Sequence, residues 1–142
     1  MRSDRRQRGR VWPGIAVAML TCAGTLSGAL GGHDFGWTVL KVTPEIAKRY
    51  VDEGIKPIFI DLRPAGEFAR GRIQGARSVP LPEVARRAAD VPKAGFVILY
   101  CACPFDEASA AYQILRDLGY RNISVMEEGF AGWTKRGYQI ER

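Results

Sequence analysis

Apolar and polar positions change period several times between residues 39 and 142. Phe96-Val97-Ile98-Leu99-Tyr100 is a short unbroken run of β-branched and aromatic residues, the pattern of a strand buried on both faces of a parallel sheet. Ile58-Phe59-Ile60-Asp61 and Ile123-Ser124-Val125-Met126 read the same way. Between the strands the period becomes helical. Thr43 caps a helix with Pro44 at its first position, Ile46, Tyr50 and Val51 on its apolar face and Gly54 at its stop. A second helix is predicted from about Pro82 to Ala89. Ala108, Ala111, Leu115 and Leu118 mark a third, which Gly119 ends. Strands alternating with helices predict an α/β domain whose mainly parallel sheet is covered by helices on both faces.

The amino-terminal third follows a different pattern. Residues 1–10 hold Arg2, Arg5, Arg6, Arg8 and Arg10 against Asp4, so they account for +4 of the formal net charge of +6. The remaining +2 is spread over the chain without a basic stripe interleaved with aromatics, and no nucleic-acid partner is implied. Val11 to Gly32 is a run of 22 residues without a charge; as a helix it would reach about 33 Å, the thickness of a bilayer core. The chain therefore divides into a basic segment (1–10), a hydrophobic segment (11–32), a linker (33–38) and a domain (39–142). The hydrophobic segment reads as a single-pass signal anchor, with the arginines kept in the cytoplasm and the domain outside it. It also reads as a signal peptide cut near Ser27-Gly28-Ala29 or Ala29-Leu30-Gly31, which would leave the domain secreted.

Candidate chemistry converges on Tyr100-Cys101-Ala102-Cys103-Pro104. Cys101 stands where a buried strand stops and a helix is about to start. Open α/β sheets place their ligands at that crevice, and the orphan N–H groups of a helix start favour a thiolate there. One histidine in the linker and two cysteines in the domain do not make a zinc site.

The flanking blocks add a family resemblance. Asp61-Leu62-Arg63, Glu67-Phe68, Gly71-Arg72-Ile73-Gln74-Gly75-Ala76 and Val79-Pro80 resemble the first signature block of the rhodanese domain. Glu128-Gly129-Phe130-Ala131-Gly132-Trp133 with Gly137-Tyr138 resembles the second. The resemblance covers about residues 40–140. It implies a rhodanese-like α/β fold, no cofactor, and a cysteine, here Cys101, that accepts a sulfane sulfur as a persulfide and passes it to a nucleophile. It makes Ala102, Cys103, Pro104, Phe105, Asp106 and Glu107 the active-site loop.

This loop departs from the common Cys-x-x-Gly-x-Arg form. It reads Cys101-Ala102-Cys103-Pro104-Phe105-Asp106-Glu107 and counts one residue longer. Pro104 removes an N–H from the anion cradle and fixes a dihedral where glycine is usual. Asp106 and Glu107 complement the helix start but set carboxylates where the family has an arginine. The expected donor is therefore a persulfide or polysulfide in place of the dianion thiosulfate, and the missing arginine argues against phosphate-ester hydrolysis. Arg72 stands in for a histidine of the first block and would compensate if its guanidinium reached the loop. Asp61 and Arg63 are expected to support the site as a partly buried ion pair. Gly71, Gly75 and Gly129 are expected at turns with unusual backbone angles, and Trp133 is expected to pack under the last helix. Two other functions stay open: a dithiol redox module using Cys101 and Cys103, and a non-catalytic interaction domain.

Overall fold

The computed structural model describes residues 38–102 and 105–142. The basic segment 1–10, the hydrophobic segment 11–32, most of the linker, and Cys103 and Pro104 lie outside the described residues. Among the described residues no helix is long and apolar enough to cross a membrane.

The chain runs β1 (Lys41–Val42), α1 (Pro44–Asp52), β2 (Ile58–Asp61), α2 (Ala65–Arg70), β3 (Arg72–Ile73), β4 (Arg77–Ser78), β5 (Val97–Tyr100), α3 (Phe105–Asp117), β6 (Ile123–Met126), α4 (Gly129–Lys135) and β7 (Ile140–Glu141). Five strands form one sheet in the order β1-β6-β5-β2-β4, with every pairing parallel, and β3 and β7 form a separate antiparallel pair. The three apolar runs are the three central strands because only they are covered on both faces. Alternation along β5 divides the core. Val97 and Leu99 join Ala108, Ala111 and Leu115 of α3 on one side. Ile98 and Tyr100 join Ala47 of α1 and Trp133 of α4 on the other.

Sequence and structure agree closely at the ends of α1. Thr43 Oγ accepts the Ile46 N–H at 3.3 Å, Pro44 opens the helix, and Gly54 follows it with φ +79°. Its buried side is Pro44 and Ala47; Val51, expected on the apolar face, is exposed. Ile46 and Tyr50 pack partly buried against the core, and at the amino end α4 approaches closely, where a β-carbon on Gly132 would lie 3.2 Å from Pro44 Cγ. Leu118 is likewise exposed, because α3 ends at Asp117 and the chain has begun to turn.

The helix predicted from Pro82 to Ala89 is not one. The segment forms two 3-10 turns, Leu81–Glu83 and Ala88–Asp90. Val84 and Val91 are its buried anchors, too few and too far apart for a helical stripe. Backbone bonds close the turns, among them Glu83 N–H to the Pro80 carbonyl (2.8 Å) and Asp90 N–H to the Arg87 carbonyl (2.9 Å), and the Arg87 side chain braces them by bonding Asp90 Oδ2 at 2.7 Å, Glu83 Oε2 at 3.0 Å and the Ser78 carbonyl at 3.1 Å. The helix α2 was absent from the hydrophobic pattern because none of its six residues is buried. Of the three glycines, Gly75 (φ +75°) and Gly129 (φ +54°) need the left-handed region, whereas Gly71 (φ 161°) is extended backbone open to other residues.

Candidate active site

Residues just beyond the carboxyl ends of β2, β5 and β6 meet at one point. Asp61 pairs with Tyr100 in the parallel register, which brings Leu62 level with Cys101, and the Leu62 N–H donates to the Tyr100 carbonyl at 2.8 Å. Cys101 continues the β5 alternation and turns into the core on the α3 side, beside the cluster that holds Leu62, Val79 and Val84; it is 2% exposed.

Its backbone is held from the opposite side. The N–H groups of Phe130 and Ala131 donate to the carbonyls of Cys101 (2.8 Å) and Ala102 (3.1 Å). This contact requires glycine at 129. A β-carbon there would stand 2.5 Å from the Cys101 carbonyl oxygen, and φ of +54° strains any side chain. The Glu128-Gly129-Phe130 block therefore places the cysteine by fixing its peptide.

Below this point lies a buried polar network. Asp61, fully buried, accepts from the Arg63 N–H (3.0 Å), Nε (2.9 Å) and Nη2 (2.6 Å). Arg63 Nη2 also donates to the Gly71 carbonyl at 2.7 Å, and the guanidinium lies 3.8 Å over the Phe130 ring. Burial works against the charge on Arg63, but the hydrogen bonds and charge of Asp61 outweigh it and hold the guanidinium more firmly protonated than usual. The Tyr100 hydroxyl accepts the Ile73 N–H at 3.3 Å. Burial first, and then the Asp61 charge and hydrogen bond, push the Tyr100 phenol well above its ordinary value, so it stays neutral. The expected Asp61–Arg63 pair is thus present and wholly internal.

Arg72 is engaged on β7: its Nε binds Glu141 Oε1 at 2.6 Å and its guanidinium lies 4.7 Å from the Phe68 ring, so it fastens β3 to β7. Glu107, in the first turn of α3, is exposed and lines an apolar cleft with Leu62, Pro64, Pro80, Leu81 and Pro82. Ala102 is partly buried. Trp133 packs beneath α4, 5.5 Å from the Phe59 ring, with its indole N–H on the Gln139 carbonyl at 3.0 Å. Among the described residues no group of acidic, histidine and cysteine side chains could hold a metal ion. Tyr100 and Phe130 were missed as site residues. Both lie inside the recognised blocks, but their roles depend on contacts across the sheet that spacing does not encode.

The family model of the rhodanese-like domain matches residues 43–136. The chain belongs to this family. The rhodanese-like domain is 36% identical over 78 residues to the uncharacterized protein YqhL of Bacillus subtilis, covering 55% of this chain and 61% of YqhL. It is 25% identical over 83 residues to a sulfurtransferase of Allochromatium vinosum, covering 58% of this chain and 77% of that protein. The chain spans less than two thirds of the length of some curated relatives, 36% of one and 61% of YqhL. Among solved structures, a rhodanese-related protein of Thermoplasma volcanium superposes with a TM-score of 0.64 at 20% identity, over 72% of this chain and 97% of that one. That likeness is one of fold.

Proposed function

We propose that this rhodanese-like domain is a sulfur carrier in which the Cys101 thiolate attacks the outer sulfur of a persulfide or polysulfide. The donor's sulfur–sulfur bond breaks, its thiolate leaves, and a Cys101 persulfide forms; an acceptor thiolate then attacks the outer sulfur and releases Cys101. The observation that carries this reading is the position of Cys101, at the carboxyl end of the central strand with its carbonyl clamped by the Phe130 N–H at 2.8 Å. The likeness to a sulfurtransferase supports the reaction class. The choice of donor rests on Pro104, Asp106 and Glu107, which weaken the loop as a cradle for a dianion, and on Arg72, whose charge is committed to Glu141.

A second reading, a non-catalytic interaction domain, draws on the 2% exposure of Cys101. Intact-mass measurement of the reduced protein after exposure to thiosulfate or polysulfide separates the two. Addition of one sulfur atom from polysulfide, lost in Cys101→Ala, is the expected result. No addition from either donor overturns the carrier reading, and a loss of two hydrogens that needs both Cys101 and Cys103 turns it into the dithiol redox module. The reading includes the placement of the domain outside the cytoplasm by residues 11–32, as a membrane anchor or a cleaved signal. A topology reporter fused after Arg142 and active only in the cytoplasm would overturn that placement.

A further inference from the structure

The Cys101 side of the sheet carries a cleft of its own. Leu62, Pro64, Pro80, Leu81, Pro82 and Glu107 line about 300 Å³, the small end of the range typical of ligand pockets. Leu62 joins this cleft to the cysteine. It stands just beyond the Asp61–Tyr100 pair, level with Cys101, on neighbouring strands that in a sheet run about 4.8 Å apart. Its side chain lies in the same buried cluster as Cys101, and Leu81 and the Ala108 that follows Glu107 pack there too. A ligand seated on Leu62 is therefore one strand spacing from Cys101, on the face of the sheet to which the thiol turns.

The walls of this cleft select against anions. Pro64, Pro80 and Pro82 have no N–H, and the N–H groups of Leu62 and Leu81 are already given to the carbonyls of Tyr100 (2.8 Å) and Leu62 (2.9 Å). A carboxylate or sulfonate placed there would lose hydration and find no backbone donor on these five residues. Glu107 is the one charged side chain of the lining; it is exposed, and among the described residues it has no cationic partner. An apolar body with a positive end meets both conditions. Leucine and proline carbon covers the body, and a carboxylate at the rim attracts the charge. Cys101 is 2% exposed, so the body that brings sulfur to it is slender and unbranched.

We propose that this cleft seats the sulfur donor as a short, unbranched alkyl persulfide ending in an ammonium group. The Cys101 thiolate attacks the outer sulfur, the donor's sulfur–sulfur bond breaks with its electron pair leaving on the alkyl thiolate, and the proton stays on the transferred sulfur. That step rests on the sulfur-carrier reading; the selectivity of the cleft does not, so it is tested with reagents that carry no sulfane sulfur. In the full chain with Cys22→Ser and Cys103→Ser, where Cys101 is the one thiol, mixed-disulfide formation with alkyl methanethiosulfonates is followed by intact mass, each rate being divided by that of 2-mercaptoethanol. The 2-aminoethyl reagent is expected to outrun the 2-sulfonatoethyl reagent at least about tenfold, since reversing a charge beside a carboxylate counts twice. Among neutral reagents the rate should rise about two- to fourfold per methylene from methyl to propyl. Glu107→Gln should cut the cation-to-anion ratio at least about threefold. Glu53→Gln, which removes the same charge just after α1, leaves the ratio unchanged. A ratio near one, a ratio untouched by Glu107→Gln, a flat neutral series or no reaction at Cys101 overturns the proposal. Sulfur loading of Cys101 from inorganic polysulfide, measured in the same protein, separates the two readings. Loading without the preference removes the cleft and leaves the carrier; the preference without loading removes the carrier and leaves the cleft.

Discussion

Arg63 and Arg136 each face two carboxylates, one inside the domain and one at its surface. Arg63 is 5% exposed and meets Asp61 through four hydrogen bonds, three from its guanidinium and one from its backbone N–H, with Glu67 farther off. Arg136 binds Glu128 through Nη1 at 2.9 Å and Nη2 at 2.6 Å, and Glu45 through Nε, tying α4 to α1 with both acids in solvent. Similar groups in similar geometry should differ widely in consequence. In water the ions keep their hydration when the pair breaks; in the core a broken pair leaves a bare charge. The buried network also braces the carboxyl end of the central strands, because Arg63 supports Phe130 and Phe130 clamps the Cys101 peptide.

The largest effect is expected from Asp61→Asn, which keeps the shape and strands the guanidinium. Urea unfolding should report a loss of about 3–5 kcal/mol. A loss under about 1 kcal/mol would place the buried pair in the class of solvent-screened ones and remove the contrast. Next is Gly129→Ala, which strikes the same network from above. Backbone strain alone costs about 1–3 kcal/mol, and the contact with the Cys101 carbonyl at 2.5 Å forces α4 to move. Unfolding should show the stability loss, and alkylation of Cys101 should speed up as its peptide is released. Unchanged alkylation in a destabilised protein would show that the clamp serves folding and not the placement of the thiol.

Arg136→Ala is expected to have the smallest effect, and its signature is pH. Hydrogen bonds to Arg136 hold the Glu128 carboxyl below its ordinary value; for Glu45 a backbone hydrogen bond comes first and Arg136 second. A carboxylate whose value is depressed on folding contributes stability above its unfolded value, near 4.5, and loses it as pH falls through the folded one. The melting temperatures of Arg136→Ala and the wild type should differ slightly at neutral pH and converge in acid. A difference that persisted in acid would assign Arg136 a packing role instead of an ionic one.

Much of this was legible before the fold was seen. The three central strands were fixed by runs of β-branched and aromatic residues, since only a strand covered on both faces tolerates them. The start of α1 was written in Thr43 and Pro44, a local device independent of packing. Ordered blocks around Asp61 and Gly129 were enough to indicate the family, and the place of Cys101 between β5 and α3 was readable from the apolar run that ends at Tyr100. Other features needed the tertiary structure. The segment from Pro82 to Ala89 has helix-forming residues but only Val84 to bury, so packing left it as tight turns. Arg72 stood in the register of a site residue, and pairing of β3 with β7 gave it to Glu141. Phe130 gained its double role, and Leu62, Pro80 and Glu107 their common cleft, from elements distant in sequence that meet beyond the carboxyl ends of the strands. A chain sets short-range geometry and burial by its residue types and their period; which long side chains share a surface depends on strand order and register, and these are decided only when the whole sheet closes.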